Sequence, residues 1–207
     1  MPQIYWEIGN KAADYETLIR WWSQYAAKRP LVIGEDVERT VKYADPQNPQ
    51  QHQLPAKMRL HQQLPAVKGT VLWYAKAAVD NVGNYGMTLR NYYWRKPALQ
   101  PDMSFIDKST TRKVRQLKPV WMDKDYVLFW TAPKGKNWQN TATRYVVYRF
   151  AKGEKVNTDD ATKIVAITTN TFCLLPYKSG TQKYTYVVTA LNRLQNESKA
   201  RKKTVKL

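Results

Sequence analysis

Cysteine is nearly absent from this chain of 207 residues. Cys173 stands alone in the run Thr171-Phe172-Cys173-Leu174-Leu175, which excludes a disulfide framework and a thiolate metal site. In so apolar a setting the thiol reads as a packed core residue. Histidine is almost as scarce. His52 lies in a Gln/Pro-rich stretch and His61 on a short helix, with no second ligand at metal spacing and no place in a Ser–His–Asp arrangement. No glycine-rich phosphate loop is present, so neither metal nor cofactor is expected. No apolar run reaches the roughly 18 residues of a membrane-spanning helix, and the opening lacks the basic-then-apolar pattern of a signal peptide. Acidic residues are also few: 16 Asp and Glu face 34 Lys and Arg, a formal charge of +18.

That charge is unevenly spread. Residues 1–102 carry 13 basic and 9 acidic side chains, and residues 103–207 carry 21 and 7, so +14 of the total belongs to the second half. Such a field attracts polyanions without naming one. The chain is also rich in aromatics, with 8 Trp and 14 Tyr.

The first half alternates strand and helix three times. Gln3–Ile8 reads as a buried strand, yet only two residues precede it, so the sequence predicts the carboxy-terminal part of a larger α/β enzyme. Asp14 is placed to cap a helix carrying Tyr15, Leu18, Ile19, Trp22 and Tyr25 on one apolar face, which Pro30 stops. Leu31–Gly34 is a second strand. The polar run Asp45–Gln53 reads as an exposed loop, followed by a helix from Pro55 to Gln63. Gly69–Tyr74 is a third strand, followed by a loop and a helix from Met87 to Arg95. Such repeats imply parallel strands.

The prolines and Ser-Thr-Thr cluster of residues 97–112 mark a boundary, dividing the chain into 1–101 and 108–207. Beyond it come seven short alternating runs: Lys118–Met122, Tyr126–Trp130, Arg144–Phe150, Lys163–Ile167, Thr171–Leu175, Lys183–Leu191 and Thr204–Leu207. They predict an all-β sandwich. With Val127–Pro133, Tyr145–Arg149, Leu175-Pro176 and Tyr184–Asn192, this half resembles a fibronectin type III domain. The resemblance implies Trp130 as the core tryptophan and Tyr184 as the corner tyrosine, its hydroxyl bonded to backbone.

If the three strands are parallel, their ends gather Tyr5, Trp6 and Glu7, then Glu35 and Asp36, then Trp73, Tyr74 and Lys76 at the edge where α/β folds build active sites. Carboxylates flanked by aromatics suit a carbohydrate: the acids do the chemistry and the rings stack on sugar faces. Glu7 and Glu35 are the candidate catalytic carboxylates. Tyr5, Trp6, Asp36, Trp73, Tyr74 and Lys76 are the candidate substrate-binding groups. Each carboxylate equally fits a solvated loop or a helix cap, and each tryptophan a core position.

Pro2–Gly9, Ala13-Asp14-Tyr15, Trp21-Trp22, Leu31–Gly34, Val67-Lys68-Gly69, Tyr74-Ala75-Lys76, Asn81, Tyr92-Tyr93 and Pro97–Pro101 resemble, in order, the end of the glycosyl-hydrolase-like family ten catalytic domain. That family includes bacterial envelope proteins that cut peptidoglycan glycan strands stripped of peptides. The resemblance implies the last three βα units of a (β/α)8 TIM barrel, incomplete here, followed by the sandwich, and a site of action in the bacterial periplasm or cell envelope. The family's Asp-Asp-Tyr-Phe-Tyr-Pro run is missing from this chain. The expectation is therefore a glycoside hydrolase fragment for cell-wall glycan, inactive alone, with a carbohydrate polymer as partner and either self-association or a missing barrel half to cover its sheet. The alternative is a non-catalytic basic module binding glycan or polyanion; nucleic acid is disfavoured, because the charge is scattered and no single-strand-binding motif is present.

Overall fold

The computed structural model describes residues 1–207, which fold as two units, Met1–Arg95 and Lys96–Leu207. In the first unit the elements follow as α1 (Tyr15–Gln24), β1 (Leu31–Asp36), α2 (Val37–Lys42), β2 (Ala44–Asp45), β3 (Asn48–His52), α3 (Leu54–Gln63), β4 (Val67–Trp73), α4 (Ala75–Val79) and α5 (Tyr85–Thr88).

Parallel pairing begins at the third residue. Gln3 bridges Gly34, the Ile4 N–H donates to the Gly34 carbonyl at 2.9 Å, and the Gly34 N–H donates to the Pro2 carbonyl at 2.8 Å. A Cβ on Gly34 would lie 3.3 Å from the Gln3 Cα, so any side chain there would push the two segments apart by a few tenths of an ångström. The expected strand Gln3–Ile8 does not form: only an isolated parallel bridge at Gln3 remains of it, and the parallel sheet has two strands rather than three. By Glu7 the chain is turning, and its carbonyl accepts the Asn10 and Tyr15 N–H groups. β1 then pairs parallel with β4, from Leu31 opposite Val67 to Asp36 opposite Trp73.

A bulge at Lys68 decides which β4 residues face which way. Leu31 pairs with Val67 but Val32 with Gly69, so one extra residue on β4 reverses its alternation. The helix-covered face then carries Leu31, Ile33 and Glu35 beside Thr70 and Leu72. The opposite face carries Val32, Gly34 and Asp36 beside Gly69, Val71 and Trp73, and the last two are exposed.

Helix α1 starts where the Asp14 carboxylate accepts the Thr17 N–H at 2.8 Å. Its apolar face is shorter than the sequence suggests. Tyr15 and Ile19 are buried with Ile4, Ile33 and Leu60, but Trp22 and Tyr25 are exposed, packing instead around Trp21 at ring distances of 5.0 and 4.9 Å. The run Asp45–Gln53 is likewise not a free loop. Its β2–β3 hairpin is held by side chains rather than strand propensity: Asp45 accepts the Gln47 N–H at 2.9 Å, and the buried Gln53 amide donates to the Ile8 and Ala44 carbonyls. The expected helix from Met87 to Arg95 is replaced by α5 and a π-helical turn, Leu89–Tyr93. Asn81 and Asn84, at φ of 57° and 62°, break the chain before it, and Asn81 Oδ1 caps the Met87 N–H at 2.8 Å.

The second unit is an antiparallel sandwich. Its strands are β5 (Arg115–Met122), β6 (Asp125–Thr131), β7 (Arg144–Ala151), β8 (Ile164–Thr168), β9 (Phe172–Leu174), β10 (Lys183–Leu191) and β11 (Arg201–Lys206). They form one sheet in the order β11-β10-β7-β8 and another in the order β5-β6-β9, the seven strands expected of a fibronectin type III-like module. Leu128, Trp130, Tyr145, Val147, Tyr186 and Val188 fill the space between, with Trp130 edge-on to Tyr145 at 5.5 Å. Tyr184 departs from expectation. Its hydroxyl donates to the Gln182 side chain at 2.6 Å rather than to backbone, because Gln182 is fixed two residues away by paired backbone bonds to Leu207.

Residues 96–114 strap onto this sandwich. Leu99 packs on its core, and the buried Asn196 amide donates to the Asp107 and Ser109 carbonyls at 2.7 and 2.9 Å. No helix of the chain is long and apolar enough to cross a membrane. Trp130→Ala should destabilise the sandwich by about 3–5 kcal/mol. Urea denaturation followed by backbone circular dichroism checks this, with Trp138→Ala, at an exposed site between β6 and β7, as the nearly neutral control.

Candidate functional site

The strand-end carboxylates divide between the two faces of the sheet, and the charge they act on from both belongs to a residue the sequence did not single out. Lys57, on α3, is fully buried. Its ammonium donates to Thr40 Oγ1 at 2.9 Å and to the Trp6 carbonyl at 3.2 Å, and it lies 4.1 Å from the Tyr15 ring centroid. Burial lowers its pKa, opposed by the negative charges of Glu35, Asp36 and Glu7 in that order. The expected lysine, Lys76, is instead an exposed residue of α4 bound to Asp80 one turn on.

Glu35 is the most constrained of the three acids. It is fully buried on the helix-covered face. One carboxylate oxygen accepts the Tyr15 hydroxyl at 2.7 Å and lies 2.9 Å from His61 Nε2, and the other lies 3.5 Å from the Tyr85 hydroxyl. His61 Nδ1 lies 3.3 Å from Thr70 Oγ1. A consistent assignment gives Nε2 the proton, donated to Glu35, while the Thr70 hydroxyl donates to Nδ1. Burial alone would raise the pKa of Glu35. The hydrogen bond from His61, the charge of Lys57 and the bond from Tyr15 outweigh it, and the net shift is downward. Tyr15 and Tyr85 are pushed well up, by burial first and the Glu35 charge second, so both stay protonated donors. The Glu35 carboxylate points to the covered face, so it is not grouped with the aromatic residues on the other.

That face gathers a different set. Tyr5 stacks on Trp73 with ring centroids 6.3 Å apart, and Trp73 is 57% exposed. The Trp73–Tyr74 peptide is cis. Asp36 shares this face through its pairing with Trp73, while its carboxylate accepts the Arg39 N–H at 2.8 Å and caps α2. The Tyr74 hydroxyl donates to Glu38 at 3.0 Å, and Trp6 is 38% exposed. Glu7 is tied into the turn before α1. It accepts the Asn10 amide at 2.7 Å and lies 3.7 Å from Arg39; burial raises its pKa, but these bonds and charges bring it below the ordinary value. Of the candidate acids, Asp36 is therefore the one placed beside the exposed rings.

The arrangement offers a shallow aromatic surface with a carboxylate at its edge, on a rigid buried foundation. No three His, Cys, Asp or Glu side chains gather as a metal ion would require. In the sequence Lys57 and Tyr85 draw no attention, Tyr15 reads as part of a helix's apolar face, and His61 is set aside as a metal or triad residue. The signal for Lys57 and His61 was spacing: Leu54, Lys57, Met58 and His61 fall on the 3–4 stripe of one helix face, where a lysine and a histidine are out of place unless they find a buried partner.

No family model matches the chain. Over 99% of its length it is 34% identical to "Glycosyl hydrolase YngK" of Bacillus subtilis (strain 168), and it spans 40% of that protein. Nearly the whole chain is thus similar to a part, under half, of a protein named a glycosyl hydrolase. Among solved structures, about half of it is similar to "FN3tt mut" (20% identity, TM-score 0.34, 46% of this chain and 93% of that one) and to the Clostridium perfringens spore cortex lytic enzyme SleM (11%, 0.33, 47% and 28%). The glycoside hydrolase domain of Endo-D from Streptococcus pneumoniae R6 gives 19%, 0.33, 47% and 15%. Likenesses at that level carry no argument.

Replacing Glu35 with Gln should cost about 3–5 kcal/mol, since it leaves the Lys57 charge buried without its first counter-charge. The pH dependence has a definite sign. The folded pKa of Glu35 lies below the ordinary value of 4.5, so its stabilisation is present above that value and is lost as pH falls through the lower, folded one. Urea midpoints measured from neutral pH down to about pH 3 should fall in the wild type, and this component of the fall should vanish in Glu35→Gln.

Proposed function

We propose that this chain is a portion of a glycoside hydrolase acting on bacterial cell-wall glycan, and that it is inactive by itself. The observation that carries this reading is the exposed Trp73, stacked on a half-buried Tyr5, beside Asp36 at the end of β4's pairing with β1, in a chain that is 34% identical to a protein named a glycosyl hydrolase. Two parallel strands, extended by a single parallel bridge at Gln3 and bare on one face, are compatible with the closing βα units of a (β/α)8 barrel. The bare rings are then cleft wall, stacking on the apolar faces of sugar residues.

Inactivity follows from the chemistry. Glycosidic bond cleavage in most families needs two carboxyl groups set across the bond, about 5–5.5 Å apart for retention or about 6.5–9.5 Å for inversion. Here Asp36 borders the rings, Glu35 lies behind the sheet, and Glu7 holds a turn. Binding without turnover is the expected behaviour, in the periplasm or cell envelope where that glycan lies.

The test is co-sedimentation with peptidoglycan glycan strands freed of peptides, beside a reducing-end assay. The wild-type chain should bind and release no reducing ends, and Trp73→Ala should bind about tenfold more weakly. Trp73→Ala binding as tightly as the wild type would remove the cleft from this reading. Release of new reducing ends by the chain alone would refute its inactivity.

A further inference from the structure

The sandwich contains a cavity of about 610 Å³ whose walls come from three separated segments: residues 110–115 leading into β5, Pro133-Lys134 after β6, and Lys199-Ala200 before β11. Five cations line it, Arg112, Lys113, Arg115, Lys134 and Lys199, and no acidic or aromatic side chain does. None of the five takes part in the chain's ion pairs. Five uncompensated charges repel one another across a concavity, which focuses the field and favours an anion inside it.

The backbone here is also shaped. The β5–β6 register shifts between Arg115 and Lys118, and Gln116 stands in the left-handed region at φ 50°, with its side chain accepting the Thr131 hydroxyl at 2.6 Å. A bulge at the lip of a cavity re-aims the side chain next to it, here Arg115. That guanidinium lies 3.4 Å from the Ala132 carbonyl, which holds it against the Pro133 wall. The floor is buried at Thr111 and Pro133, while the cationic heads are exposed, so their substitution leaves the core intact.

From this geometry we propose that the cavity is a second, non-catalytic binding site, on the sandwich, for the carboxylate groups of an acidic glycan. The absence of aromatics excludes the base stacking on which single-stranded nucleic acid binding depends. A cavity with apolar walls at Pro133 and Ala200 suits a sugar ring carrying one acid group better than a flat basic stripe would. The choice of ligand rests on the cell-wall reading, since strands stripped of peptide carry free lactyl carboxylates. The site lies within the sandwich and shares no residue with the Tyr5–Trp73 surface.

The experiment uses the whole chain and four probes: peptide-free glycan strands, the same strands amidated at their carboxylates, polygalacturonate, and duplex DNA. Arg112→Glu/Lys199→Glu should weaken binding to both acidic glycans by about tenfold or more. The charge-matched pair Lys152→Glu/Lys178→Glu, on exposed sites away from the cavity, should change it less than about twofold. Amidation should erase the difference between the variants. Equal losses from both pairs, or none from the first, overturn the proposal, and a larger loss on DNA than on glycan overturns it in favour of nucleic acid. The two readings fail separately. Cavity-dependent binding to polygalacturonate without binding to cell-wall strands sinks the cell-wall reading alone. Loss of glycan binding in Trp73→Ala, with none in the cavity pair, sinks the cavity alone.

Discussion

The first unit is organised around one buried carboxylate. Glu35 is the next-to-last residue of β1, on the face that α1 and α3 cover, where an unpaired charge would be prohibitive. It is tolerated because α1 supplies the Tyr15 hydroxyl, α3 supplies His61 and the Lys57 charge, and α5 supplies Tyr85. These groups come from residues spread between 15 and 85, so satisfying Glu35 requires four elements to be in register at once. Such networks add specificity more reliably than stability, and here the specificity is geometric: the cluster fixes the height of the helices on the sheet. The uncovered face inherits that order. Asp36 and Trp73, one residue on in β1 and directly opposite in β4, are presented by a strand that cannot slide without stranding its neighbour's charge.

The second unit is stabilised differently. Its core is apolar and aromatic, and its buried polar groups serve mainly to attach irregular chain. Asn192 and Asn196 tie the strap and the Gln139 carbonyl to the turn before β11. Its surplus of positive charge lies on strands and loops that need no counter-charge to fold, which is why the field is available to a ligand.

Much of this was legible in the chain. The seven sandwich strands stood out as short apolar-alternating runs between turn signals, and Trp130 occupies the core position that the fibronectin type III resemblance implied. Asp14 as a cap and Leu31–Gly34 as a strand needed only local rules. Three things were not local. Which side of the sheet Glu35 occupies depends on parity along β1, whereas reading by strand ends puts Glu35 and Asp36 together though they point apart. The β4 alternation is reset by a bulge at Lys68 that no residue type announces. The β2–β3 hairpin is made of Asn, Pro and Gln, and its stability comes from Gln53 reaching back to Ile8, 45 residues away.

The lone thiol has a practical corollary. Cys173 is half-buried on β9 against the sandwich core, and burial raises its pKa, so in the folded protein it is a poor nucleophile. With no other sulfhydryl in the chain, a brief pulse of an alkylating reagent labels only molecules whose sandwich has opened. The mass shift then counts those openings while remaining blind to the parallel-stranded unit, so the stability of the sandwich is read apart from that of the rest of the polypeptide.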